Sequence, residues 1–130
     1  MVKTTNANVL PTSEHNDTVT SYFMYEKEEL RNATSGSYLE FINEFELEPG
    51  VFIEPHFHNS HEFYYVIRGS GTMRVDECIS DVSVGDLIHI EPNSTHSIRA
   101  GKVGIRCFAF ASSFQAEGEE YTKSILQNWP

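Results

Sequence analysis

The chain has 130 residues, 19 of them acidic against 9 Lys or Arg, for a formal net charge of −10. That length suits one domain with a core of its own, and 39% hydrophobic residues, with 9 Phe and 6 Tyr, exclude disorder as the general state. The negative charge argues against nucleic acid or an anionic membrane surface as a partner, because their phosphates would be repelled.

In chain order, residues 1–20 are rich in Thr, Asn and Ser and read as a polar N-terminal arm. The opening MVKTTNANVLPTSEHND lacks the apolar centre of a secretion signal, and no apolar run approaches the roughly 18 residues needed to cross a bilayer. Cys78 and Cys107 are too few for a disulfide framework. Each is expected as a free thiol, and the cytoplasm as the compartment. A domain over 21–114 follows the arm, and a tail, 115–130, closes the chain. Tyr22–Asn32 contains YEKEELRN, a short helical pattern.

From Tyr38 the period becomes two. In SYLEFINEFELEPG, Leu39, Phe41, Phe45 and Leu47 fall on one side, and Glu40, Glu44 and Glu46 on the other, before the turn pair Pro49-Gly50. VFIEPHFH, EFYYVIRG, TMRVDE, ISDVSVGDLIHIEP and HSIRAGKVGIRCFAFAS continue as short strands separated by glycine or Asx turns. Such spacing predicts an all-β antiparallel sandwich or barrel. Only AEGEEYTKSILQNWP at the end has a helical pattern, with Tyr121, Ile125 and Leu126 on one side.

The chemistry concentrates in HFHNSHE, residues 56–62. On a strand, His56 and His58 share a face and their ring nitrogens can converge on one point, while Phe57 points away. Asn59-Ser60 is a turn pair, and Glu62 then opens the next strand with its carboxylate available to the same point. Imidazole with carboxylate suits Fe(II), Mn(II), Ni(II), Co(II) or Zn(II). Taken alone, the cluster also reads as a polar loop.

Gly50, five residues, His56-Phe57-His58, three residues, Glu62, six residues and Gly69 resemble the first motif of the cupin superfamily at every defined position. Gly85-Asp86-Leu87-Ile88-His89-Ile90-Glu91-Pro92-Asn93-Ser94-Thr95-His96 resembles the second, with the glycine-to-histidine spacing of eleven. Glu91 stands where that motif usually has proline, Asn93 where it has glycine, and Ala100 where it closes on asparagine. The resemblance covers roughly 38–111. It implies a cupin-type jelly-roll β-barrel and His56, His58, Glu62 and His96 as ligands of one divalent transition metal ion.

Tyr64, two residues after Glu62, is on the ligand face and is the candidate catalytic residue, as hydrogen-bond donor or base. His61 is expected at the turn or rim and Tyr65 on the opposite face. His89 fits either the cavity or a solvated face. Arg74 and Arg106 would favour a carboxylate substrate if they faced inward, although the solvent side is the default for an Arg in an alternating strand. Cys107 is expected as a small core residue. Such a site is read first as a dioxygenase, with a non-redox lyase, isomerase or decarboxylase as the alternative, acting on a small polar metabolite. Dimethylsulfoniopropionate lyases resemble the set His56, His58, Glu62, Tyr64 and His96. A non-catalytic metabolite- or sugar-binding cupin is the third class, and a homodimer is the expected assembly.

Overall fold

The computed structural model describes residues 5–113. After a single 3-10 turn at Asn6–Asn8 come strands β1 (Thr12–Glu14) and β2 (Val19–Tyr25), helix α1 (Lys27–Ala33), and strands β3 (Leu39–Leu47), β4 (His61–Val75), β5 (Cys78–Ser83), β6 (Leu87–Ile90) and β7 (His96–Ser112). Every strand pairing is antiparallel, in the order β1-β2-β3-β7-β4-β5, with β6 on the free side of the start of β4. The all-β, jelly-roll expectation holds. The helical tail lies outside the described residues, among which no helix is long and apolar enough to cross a membrane.

β4 and β7 are long enough to serve both walls of the barrel. Glu62–Val66 pairs with Cys107–Ala111, and Gly71–Val75 with His96–Ala100, with register shifts between. The shift falls where Gly69 (φ +77) meets Gly104 (φ +80). A Cβ on Gly69 would lie 2.1 Å from the Gly104 carbonyl oxygen, so the two backbones approach as closely as glycine allows. Inward residues of both halves make one core, including Phe45, Leu47, Val66, Ile90, Ile98, Ile105 and Cys107.

One local expectation needs correction, and the N-terminal segment adds strands: β1 pairs with β2, and β2 with β3. Val19 and Ser21 alternate inward and are buried, which seats this edge on the barrel. The segment 51–58, expected as a strand, makes only isolated bridges, Phe52 to Arg99 and His56 to His96. Pro55 has no N–H to give a ladder, yet Ile53 N and His56 N still bond to Ile98 O and His96 O at 2.9 and 3.1 Å. The short helix sits at Lys27–Ala33, with Leu30 buried beneath it.

Cys78 is exposed and Cys107 buried, both as free thiols. Burial pushes the Cys107 thiol up to about 12, which leaves it protonated and unreactive at neutral pH. Iodoacetamide at about pH 8 is therefore expected to label Cys78 alone in the native protein and both cysteines after denaturation, as read by mass spectrometry.

Candidate metal centre and cavity

Three imidazoles meet inside the barrel. His56 and His58 come from the irregular segment before β4, and His96 opens β7; all three are buried. One ring nitrogen from each lies within 4.8 Å of the others, a group that could hold a metal ion. Backbone bonds set this geometry. His56 and His96 exchange N–H···O bonds at 3.1 and 2.9 Å, and Asn93 N donates to His58 O at 2.8 Å. Asn93 manages this in the left-handed conformation, φ +64, where the resembling motif has glycine.

The outer nitrogens are tied down. His56 Nδ1 bonds to Glu54 O at 2.9 Å and His96 Nδ1 to Ser94 O at 2.9 Å, while His58 Nδ1 meets Ser60 Oγ at 2.8 Å. A carbonyl only accepts, so Nδ1 of His56 and of His96 carries the proton and Nε2 presents its lone pair. Holding a ligating ring by its other nitrogen is how proteins fix a metal-binding imidazole.

Glu62, at the start of β4, is buried with its Oε2 against His58 Nε2 and 3.6 Å from His96 Nε2. Burial alone would raise its carboxyl pKa, but the contact with His58 and the field of the three imidazoles outweigh that and bring it to about 2. His56 is lowered to about 3, by burial first and then by His96, and burial likewise lowers His96. Neutral His56 and His96 beside an ionised Glu62 are the protonation states that metal binding requires. His96 Nε2 is buried and makes no hydrogen bond with any described residue, as befits a nitrogen reserved for an ion. The donor set therefore fits a divalent transition metal.

His56 and Glu62 of the centre line a cavity of about 600 Å³, together with residues of β2 and β3 and Ala109 of β7. Tyr64 lines it, its ring 4.9 Å edge-on from Phe45 and 6.4 Å from that of His96. Phe23, Phe41, Phe45, Val19 and Ile53 supply apolar walls. The β1–β2 turn, with His15, Asn16 and Asp17 all at positive φ, contributes His15 and Asn16 to the lining. There the His15 ring stands 4.7 Å from that of His56, and Asn16 Nδ2 donates to Glu54 Oε2 at 3.1 Å.

His61 and His89 face the other way. They share a hydrogen bond of 2.8 Å on the outer face of β4 and β6, and His89 stacks on Phe63. This resolves His89 as an outer-face residue. Tyr65 is exposed, as alternation from Tyr64 requires. Arg106 pairs with Glu44 and Glu46 at 2.8 and 2.9 Å, and Arg74 Nε donates to Asp76 O at 2.9 Å; neither lines the cavity. Sequence reasoning missed Glu14, His15 and Asn43 as cavity residues. Asn43 had a legible signal, as the one polar residue in the inward row Leu39, Phe41, Phe45, Leu47.

A protein-family model described as Cupin domain matches residues 43–104. Dimethylsulfoniopropionate lyase DddW of Ruegeria pomeroyi is 35% identical over 81 residues, which are 61% of this chain and 53% of that protein. The match thus spans about half the length of that curated relative. Among solved structures, a predicted oxalate decarboxylase of Thermotoga maritima superposes with a TM-score of 0.77 at 19% identity, over 87% of this chain and all of that one. The polyketide cyclase RemF of Streptomyces resistomycificus gives 0.75 at 17% identity, over 98% of this chain and 87% of its own. At such identities these two likenesses show the fold.

Proposed function

The chain belongs to the cupin superfamily, and on that premise we propose that it is a metal-dependent enzyme acting on a small metabolite inside the barrel. His56, His58, Glu62 and His96 are the ligands in this reading. The observation that carries it is the set of tied Nδ1 atoms, which leaves the inner ring nitrogens aimed at one point beside an ionised carboxylate. When bound, the ion would supply a Lewis acid with open positions for a substrate oxygen.

The reading places the reaction with non-redox lyases ahead of dioxygenases. It draws on the similarity to a dimethylsulfoniopropionate lyase and on Tyr64 beside Glu62 in the same cavity. In an elimination, Tyr64 Oη would take a proton from the carbon next to the substrate carbonyl, its own hydroxyl proton having first passed to bulk water. The electron pair of that C–H bond forms the new C=C bond, and the leaving group departs from the adjacent carbon with its own bonding pair. The apolar walls keep water from competing for the proton. Tyr64→Phe is expected to lower kcat by about 10²–10⁴-fold with KM changed little, because the ring stays packed on Phe45. Turnover without oxygen consumption in an oxygen electrode supports the lyase; stoichiometric uptake assigns the dioxygenase instead. The homodimer and the cytoplasmic setting belong to the same reading, and sedimentation velocity tests the former.

A further inference from the structure

The proposed ligands His56 and His58 stand on a segment that no continuous ladder holds. Residues 51–58 meet the sheet through isolated bridges, Phe52 to Arg99 and His56 to His96, and Pro55 has no N–H to add to them. A metal centre works only when its ligands are held in place, so this segment calls for a second anchor.

The β1–β2 hairpin supplies one. Asn16 Nδ2 donates to Glu54 Oε2 at 3.1 Å, and His15 Nδ1 stands 3.7 Å from Glu54 Oε1, so both oxygens of that carboxylate face the hairpin. The carbonyl of the same Glu54 accepts from His56 Nδ1 at 2.9 Å, and the His15 ring lies 4.7 Å from the His56 ring. The tip thus reaches His56 by two routes, one through Glu54 and one through ring contact. Its backbone is shaped for this. His15, Asn16 and Asp17 follow one another at φ +51, +57 and +64, left-handed conformations that Asn, Asp and His tolerate better than other side chains do. Such a run persists only where its surroundings over-determine it. Here Thr18 N and Oγ1 both donate to His15 O, at 3.2 and 2.6 Å, and Ser13 Oγ donates to Asp17 Oδ1 at 2.7 Å. A turn that only joined β1 to β2 would form more easily with glycine, and none occurs from Thr12 to Tyr25. The turn instead sends two consecutive polar side chains to one carboxylate.

We infer that the β1–β2 tip is a clamp on the metal centre: Asn16, backed by His15, holds Glu54, and through it the segment that carries His56 and His58. Asn16 and Glu54 are positioning residues, and the hairpin sets how readily the ion exchanges. This rests on the proposed function only in placing an ion on His56; the hold on the segment is independent of any ion.

The test therefore has two readouts. In metal-free protein, amide hydrogen exchange at Ile53 and His56, whose N–H groups bond to Ile98 O and His96 O, is expected to speed up about tenfold in Asn16→Gly and in Glu54→Ala. In Zn(II)-loaded protein, the same two variants should release the ion to excess chromogenic chelator about tenfold faster than wild type. Glu54→Gln separates a clamp from a simple effect of charge, because it keeps an acceptor for Asn16 and loses the negative charge. It is expected to stay within about twofold of wild type in both readouts, since the hydrogen bond is kept. Rates unchanged in Asn16→Gly and Glu54→Ala overturn the inference, and so does a Glu54→Gln protein as fast as Glu54→Ala. A wild type that takes up no Zn(II) counts against the metal reading, and amide exchange alone then decides whether the clamp stands.

Discussion

Replacing His58 by alanine is expected to cut bound metal from about one ion per chain to under about a tenth, with loss of turnover. His58 is buried with its inner nitrogen against Glu62, and its outer nitrogen is held by Ser60. Removing it takes away one donor and leaves an ionised carboxylate without its nearest partner in a dry interior, where an unpaired charge is costly. The affinity loss should exceed the roughly 10–100-fold that follows loss of an outer hydrogen-bond partner, which is itself the effect expected of Ser60→Ala. Elemental analysis of both variants, beside circular dichroism to confirm folding, checks this. A His58→Ala protein that folds and keeps full metal content would remove His58 from the ligand set.

The second large effect is on stability. Gly69→Ala is expected to cost about 3 kcal/mol or more, the sum of a strained positive φ and a forced displacement of packed backbone. Its Cβ would stand 2.1 Å from a carbonyl oxygen, and the atoms nearest to it all belong to the backbone of Gly104 and Ile105, which cannot swing aside. Gly50→Ala is the control: φ is +74 there, with nothing within 4 Å. It should cost only about 1 kcal/mol. At a few degrees per kcal/mol for a chain of this size, the two should melt about 5–10 °C apart in thermal denaturation. Equal melting temperatures would mean that the β4–β7 crossing gives way more easily than its contacts imply.

The strands were legible because alternation survives wherever one face is buried: the two faces of β3 and β4 can be read from residue type alone. The outward placement of His61 and Tyr65 follows from the same period, once Glu62 is set inward. What alternation cannot see is backbone supply. Pro55 turns an expected strand into an irregular segment, and the site survives because His56 and His96 still exchange main-chain bonds. His89 stayed open in the sequence because its direction depends on which face of β4 receives β6. His15 and Glu14 were hidden for another reason: their place at the cavity comes from the β1–β2 hairpin folding onto β3, a long-range pairing with no local signature. Asn43 could have been suspected, since a polar residue in an inward aromatic row contradicts the pattern around it.

X-ray absorption at the metal edge, on native-sequence protein purified without a metal-affinity step, tests the central claim most directly. The account predicts about one ion per chain, with three imidazoles and one carboxylate in its inner sphere at about 2.0–2.2 Å. A protein that takes up no metal on reconstitution, or an ion whose spectrum shows fewer than three imidazoles, would contradict it.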